Sequence, residues 1–400
     1  MDHNGWPGAG LGWAPRCAFM RGRPALAEVE IGIGKSARVG FGLDAVGIVP
    51  SRRTRDPADV SLAWQVDAYH FNLPIVAAAA DAISSPDSAI TVGKLGGLAV
   101  LHVEGLWTRH DDPLPLVADL AALPADAASR RLRELYQAPI RPELIAERIG
   151  QVRDAGLVTA AALRPQKVRA LCSDLLAAQV DLLVIHGPAV SAEHQSTRTE
   201  PLNLKRFIGD LDIPVLVGGC ASFSTALHLM RTGAAGVIVG VGTGGGDANR
   251  AELGVGVPLA TAIADAAGAR MRYLDESGGR YVHVIAHGDL RTGGDIAKAV
   301  ACGADAVMVD GVLAGAVDAP GQGGLWSMDV LHSDLPRGGW QAVAQAGTLE
   351  EILVGPGQSG GGVSLAGALR AAMATTGYAT LKEFQKAEIM LAATAGWPSR

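Results

Sequence analysis

Cysteine is scarce in this chain: four residues in 400. Cys17, Cys172, Cys220 and Cys302 lie far apart and form no pair at metal-binding spacing, so they read as reduced thiols of a cytoplasmic protein and not as a disulfide framework. Long apolar runs are missing as well. None approaches the roughly 18–20 residues that cross a bilayer, and residues 1–19 lack the basic start and apolar stretch of a signal peptide. Basic excess is absent, with 34 Lys and Arg against 40 Asp and Glu for a net charge of −6, which speaks against a nucleic-acid stripe. Charged residues make up only 18% and apolar residues 48%, a balance that excludes a disordered chain. Glycine is the abundant residue, 52 in 400, roughly twice the average share. Tight turns, or backbone lying close to a ligand, follow from that excess.

Short apolar runs recur at 73–78, 98–103, 157–163, 181–186, 214–219, 236–241, 282–286 and 305–309. Each is apolar throughout instead of alternating, the signature of parallel strands buried on both faces. Amphipathic stretches at 142–155, 166–179, 223–232, 258–267 and 294–301 fall between them. Two helix-to-strand joints nearly repeat, Thr232-Gly233-Ala234-Ala235 and Ala301-Cys302-Gly303-Ala304-Asp305, each with a glycine ending the helix. Eight strands alternating with helices predict an α/β chain folded as a single (β/α)8 barrel. The alternative, a doubly wound open sheet, has five or six strands as a rule.

The rhythm fails at both ends. Residues 1–27 read as a loosely held arm, 28–392 as the barrel domain and 393–400 as a tail. A small hairpin is expected within 28–49. The stretch 109–141 is charged and helix-prone, and 318–345, rich in Gly, Pro and Trp, reads as an active-site flap.

Barrels carry function where strands run out at their C-terminal ends. Those positions hold His102, His186, Gly219-Cys220, the loop 240–250, His287-Gly288-Asp289 and Asp310-Gly311. The loop is the most informative, since its five glycines let backbone approach a ligand and it ends in Asp247, Asn249 and Arg250. Asp247, Asn249, Arg250 and His287 are the catalytic candidates, and Gly219, Gly240, Gly242 and Gly244 the cofactor-binding ones. Substrate binding is assigned to Ala77, Ala80, Asp81, His186, Gly288, Asp289, Asp310, Gly311 and Tyr378. No metal is expected, because no close ligand pair such as HxH occurs. Cys220 and Cys302 read as packing thiols.

Several long strings carry a family likeness: Ile48-Val49-Pro50-Ser51-Arg52-Arg53-Thr54-Arg55-Asp56-Pro57, Glu104-Gly105-Leu106-Trp107-Thr108-Arg109, Glu200-Pro201-Leu202-Asn203-Leu204-Lys205, Asp275-Glu276-Ser277-Gly278-Gly279-Arg280-Tyr281-Val282-His283 and Met373-Ala374-Thr375-Thr376-Gly377-Tyr378. On these the chain resembles the inosine-5′-monophosphate (IMP) dehydrogenase and guanosine-5′-monophosphate (GMP) reductase superfamily. It is more similar still to the short actinobacterial branch that lacks CBS domains. The resemblance implies a purine nucleotide in the barrel mouth, NAD or NADP beside it, and a homotetramer. It also implies a Gly-rich loop whose backbone can hold a monovalent cation and whose cysteine attacks the purine C2. That cysteine position is Asp247 here. The family's Ala-Asp-Gly-Gly, whose Asp binds ribose, becomes Ala286-His287-Gly288-Asp289. Its phosphate-binding Gly-Ser becomes Asp310-Gly311, the first-strand Ser and Met become Ala77 and Ala80, and a flap Arg becomes Gln322.

Five ligand-contacting features have changed together on a retained scaffold. The expectation is an oxidoreductase with a remodelled pocket, acting with NAD(P) on a purine-related or other small heterocycle, with no nucleic-acid or membrane partner. Two alternatives stay open: an inactive paralogue with a binding or regulatory role, and a metal-assisted hydrolase or lyase using His186, His287, Asp247 and Asp310.

Overall fold

The computed structural model describes residues 28–193, 201–243, 250, 253–326, 339–355 and 364–392. The chain divides into units 1–40 and 41–400. In the first unit, Glu28–Gly32 and Lys35–Arg38 form an antiparallel hairpin, exposed along both strands. This is shorter than the expected hairpin. Val46–Ile48, in the second unit, pairs instead with Ile389–Leu391. The terminal arm and tail lie outside the described residues.

The second unit is a closed barrel of eight parallel strands: β1 (Ile75–Ala77), β2 (Leu98–His102), β3 (Ala160–Leu163), β4 (Leu182–His186), β5 (Val215–Cys220), β6 (Gly236–Val239), β7 (His283–His287) and β8 (Ala306–Val309). Each strand pairs with its neighbours in chain order, and β8 closes onto β1 through Val307–Ile75 and Val309–Ala77. Every expected apolar run overlaps its strand. The reason is burial from both sides: the interior packs one face of each strand and the surrounding helices pack the other.

The five expected helices are present as Pro142–Asp154, Val168–Ala177, Phe223–Met230, Leu259–Glu276 and Gly293–Ala301. Gly233 and Gly303 close two of them at φ of +97° and +118°, and Thr292 with Asp295 forms a capping box at the start of Gly293–Ala301. Leu259–Glu276 runs well past its expected end, because Gly268 faces the Phe223 ring within the helix-helix contact and does not break the helix.

The stretch 109–141 folds as two helices, Leu114–Ala121 and Ala125–Leu135. They bury a second, smaller apolar cluster with Leu106 and Trp326. Trp326, on the first leg of the flap and 1% exposed, donates from Nε1 to the Tyr136 hydroxyl at 2.9 Å. Tyr136 in turn donates to the Asp81 carboxylate. The flap's two legs are joined by a short antiparallel pair, Gly324–Leu325 with Gln341–Ala342, and residues 327–338 lie outside the described ones. Among the described residues no helix is long and apolar enough to cross a membrane.

Candidate active site

Parallel strands deliver their C-terminal ends to one mouth, and three histidines meet there. His102 ends β2, His186 ends β4 and His287 ends β7. The rings of His186 and His287 contact edge to face, with centroids 5.3 Å apart. His186 is buried, and burial pushes its pKa down to about 3, with the nearby charges of His287 and His102 adding to the effect. It is therefore a neutral imidazole at any ordinary pH.

His287 differs because it has a carboxylate. Its Nε2 lies 3.7 Å from Asp310 Oδ2. Asp310 follows β8 and caps the short helix Gly311–Ala314, with Oδ1 accepting the Gly311 amide at 2.5 Å. Burial alone would raise the Asp310 pKa, but the hydrogen bond and charge of His287 and the Gly311 amide hold it below the usual carboxylate range. The backbone amide expected to receive a phosphate thus already receives a carboxylate from the chain itself.

The Gly-rich loop is built against this pair. A Cβ on Gly240 (φ +154°) would sit 1.8 Å from the His287 carbonyl, and one on Gly288 (φ +152°) would sit 2.4 Å from Thr243 Oγ1. Thr243 donates to the same His287 carbonyl at 3.3 Å. Glycine at 240 and 288 is required by this close packing of the β6 and β7 ends. Gly219 and Gly240 also spend their amides inside the protein, on Gly187 O and Cys220 O. Of the remaining loop candidates, Gly242 is described, Arg250 is exposed, and Gly244, Asp247 and Asn249 lie outside the described residues.

Other candidates stand elsewhere or do other work. Asp81 is buried at 1% exposure, and its carboxylate is taken up by the Leu106 amide at 2.8 Å and the Tyr136 hydroxyl, with His102 Nδ1 3.7 Å away. In this arrangement it braces the β1 loop against the 109–141 insert. Tyr378 is not brought to the mouth: its ring packs on Phe384, and the chain just after it, Thr380–Lys382, borders the opposite end of the barrel. Asp289 turns to the surface and pairs with Arg291. Ala77 and Ala80 are buried methyl groups with no polar atom to offer. Cys220 and Cys302 are buried, and burial raises their thiols to about 12 and 11, which suits packing and not nucleophilic attack. No group of three or more His, Cys, Asp or Glu side chains suited to a metal occurs among the described residues.

One pair at this end was missed in the sequence. Glu104, 1% exposed on its side chain, is gripped by Arg164 through Nε at 3.0 Å, Nη2 at 2.7 Å and the backbone amide at 2.8 Å. Burial pulls the Glu104 pKa up, but Arg164 and the charge of His102 more than offset it. Arg164 directly follows β3, so the strand-end rule that picked out His102 and His186 also reaches it.

Comparison with known proteins agrees with this architecture. Residues 40–348 match the IMP dehydrogenase / GMP reductase domain family. An uncharacterized oxidoreductase of Mycolicibacterium smegmatis is 51% identical over 367 residues, covering 90% of this chain and 98% of that protein. One from Mycobacterium tuberculosis is 52% identical over the same shares. The inosine-5′-monophosphate dehydrogenase of Methanocaldococcus jannaschii is 27% identical, covering 90% of this chain and 94% of its own. Among solved structures, an IMP dehydrogenase/GMP reductase-like protein from Corynebacterium glutamicum superposes with a TM-score of 0.86 at 47% identity, over 91% of this chain and 98% of that one.

Proposed function

The chain belongs to the IMP dehydrogenase/GMP reductase family, and from that premise we propose that it is an NAD(P)-dependent oxidoreductase whose substrate is a purine-related or other small heterocycle without a 5′-phosphate. The observation that carries the reading is the Asp310 carboxylate seated on the Gly311 amide and paired with His287. A phosphate monoester placed there meets a fixed negative charge. At about 5 Å and an effective dielectric of about 20, that costs about 3 kcal/mol per unit of charge. A neutral hydrogen-bonding ligand meets no such barrier.

The same pair supplies proton chemistry. His287 can take up a substrate proton because Asp310 leaves the resulting cation accompanied. His186, held neutral down to about pH 3, is a hydrogen-bonding neighbour and not a base. The nicotinamide, when bound, supplies the hydride acceptor or donor. Its choice rests on the family, since Gly219 and Gly240 use their amides within the protein, and no step above depends on it. A monovalent cation on the Gly-rich loop is a proposal of the same standing. We also propose a homotetramer with closed cyclic symmetry, to be checked by light scattering against a mass of about 164 kDa, four times the 41.0 kDa chain; a monomeric mass overturns it.

The test of the substrate reading is a paired calorimetric comparison of inosine, guanosine and hypoxanthine with IMP and GMP. It is run on the wild type and on Asp310→Gly. Nucleosides or bases are expected to bind the wild type more tightly, with the preference moving toward monophosphates in the variant. Tighter monophosphate binding by the wild type, unchanged by the substitution, refutes the reading.

A further inference from the structure

The other end of the barrel holds a cavity of about 570 Å³ that the oxidoreductase reading does not use. It lies where β7 and β8 begin. Its floor is formed by Tyr281, His283 and Asp305, one wall by the hairpin Trp64–Val66 with Tyr69–Phe71, and the other by Thr380 and Lys382. The volume is that of a small-molecule site.

Four ring-bearing side chains line this space, Trp64, His70, Tyr281 and His283. Trp64 stacks on Phe71 at 5.1 Å, meets His283 edge to face at 6.2 Å, and spends its Nε1 on the Leu73 carbonyl at 2.7 Å. Tyr281 and His283 are edge to face at 5.1 Å. Trp64 therefore offers only ring surface. Among the side chains that line the cavity, His283 carries a buried Nδ1 with no hydrogen-bond partner, and Asp305 Oδ2 lies 4.0 Å from it. A buried polar atom of this kind calls for a partner from outside the chain.

The charges say what that partner is not. Asp305 is saturated by Arg270 (2.7 Å), Lys382 (2.6 Å), the Tyr281 hydroxyl (2.7 Å), the Val284 amide (2.8 Å) and Gln385 (2.9 Å). A metal or ammonium ion finds no free carboxylate there. Against the two cations Arg270 and Lys382 stand two carboxylates, Asp305 and the cavity-lining Asp67, so a ligand anion finds no net formal positive charge. Burial lowers the His283 pKa below the usual imidazole range, and the cations of Lys382 and Arg270 work with it against the pull of Asp305 and Asp67.

We propose that the base of the barrel is a second ligand site, distinct from the mouth, that takes a small, neutral, planar heteroaromatic molecule with one hydrogen-bonding edge directed at His283 Nδ1. The probe is benzimidazole, titrated calorimetrically into the full chain at pH 8. One site per chain that the cavity substitutions weaken is expected, apart from any binding at the mouth. His283→Phe keeps a ring and removes the polar atom, and Ala63→Trp fills the rim from an exposed position that the fold tolerates. Each is expected to weaken binding by at least about tenfold, the scale of one lost hydrogen bond to a buried group, while Asp310→Gly at the mouth leaves it unchanged. If His283→Phe fails to fold, Ala63→Trp decides. Absence of saturable binding, unchanged binding in either folded cavity variant, or its loss in Asp310→Gly overturns the assignment.

Discussion

Strands β7 and β8 carry a histidine and an aspartate at each end of the barrel, and the two pairs are used differently. At the base, Asp305 is surrounded by five donors from four side chains and one amide. Burial would raise its pKa, yet Arg270 and Lys382 hold it at about 2. At the mouth, Asp310 has one backbone amide and one histidine. The base carboxylate is locked into the fold by its partners, whereas the mouth carboxylate has a partner that can change charge. Saturation marks structure, and a sparse, titratable partnership marks chemistry.

The largest expected effect separates the two ends by activity. IMP turnover by the wild type should fall at least about 10⁴-fold short of the common enzyme range of about 1–10³ per second. Asp247→Cys alone should not restore it, because Asp310 still occupies the phosphate amide. Spectrophotometric assay of NADH formation checks both, and turnover within that range removes the mouth's claim to be rebuilt.

The next is stability. Asp305→Ala leaves Arg270 buried without its carboxylate and should cost about 3–5 kcal/mol, as expected for breaking a buried ion pair from one side. Asp310→Ala, with fewer partners to strand, should cost about 1–2 kcal/mol. Urea unfolding of both variants measures the gap. Equal losses would mean that the two carboxylates do the same work.

The smallest is a difference in pH response. The folded pKa of His186 lies below its unfolded value of 6.5, so the unfolded chain binds the extra proton as pH falls. Its contribution to stability is full above 6.5 and is lost as pH drops toward 3, at about 1.4 kcal/mol per unit. Asp305, depressed from 3.8 to about 2, gives up its contribution only as pH falls through that lower window. Unfolding curves between pH 6.5 and 4.5 should therefore flatten in His186→Gln and keep their slope in Asp305→Asn. The reverse pattern would exchange the roles of the two ends.

The barrel was legible because strands buried on both faces write themselves as apolar runs, and helix-ending glycines such as Gly233 and Gly303 punctuate them. His102, His186, His287 and Asp310 were legible from strand-end position alone. The base cluster was not, since His283 and Asp305 stand at strand starts, where no rule directs attention. The surroundings of Asp81 and Tyr378 were not legible for a related reason. Their partners Tyr136 and Phe384 come from an insert and a terminal helix, and a side chain's direction depends on such distant neighbours. The stretch expected at 258–267 was cut short because a linear pattern does not contain the Phe223 ring that Gly268 faces.

The contact of Trp326 with Tyr136 spans 190 residues of sequence, and it welds the 109–141 insert and the foot of the flap into one cooperative element with its own small core. Such an element opens as a whole or stays shut. Backbone amides of Ala125–Leu135 and of the flap's first leg are then expected to share one hydrogen-exchange rate, slower than solvent-facing loops and faster than the barrel strands. Because the Tyr136 hydroxyl also donates to Asp81, which lies beside His102, opening of that element is expected to withdraw a donor from the Asp81 carboxylate at the barrel mouth.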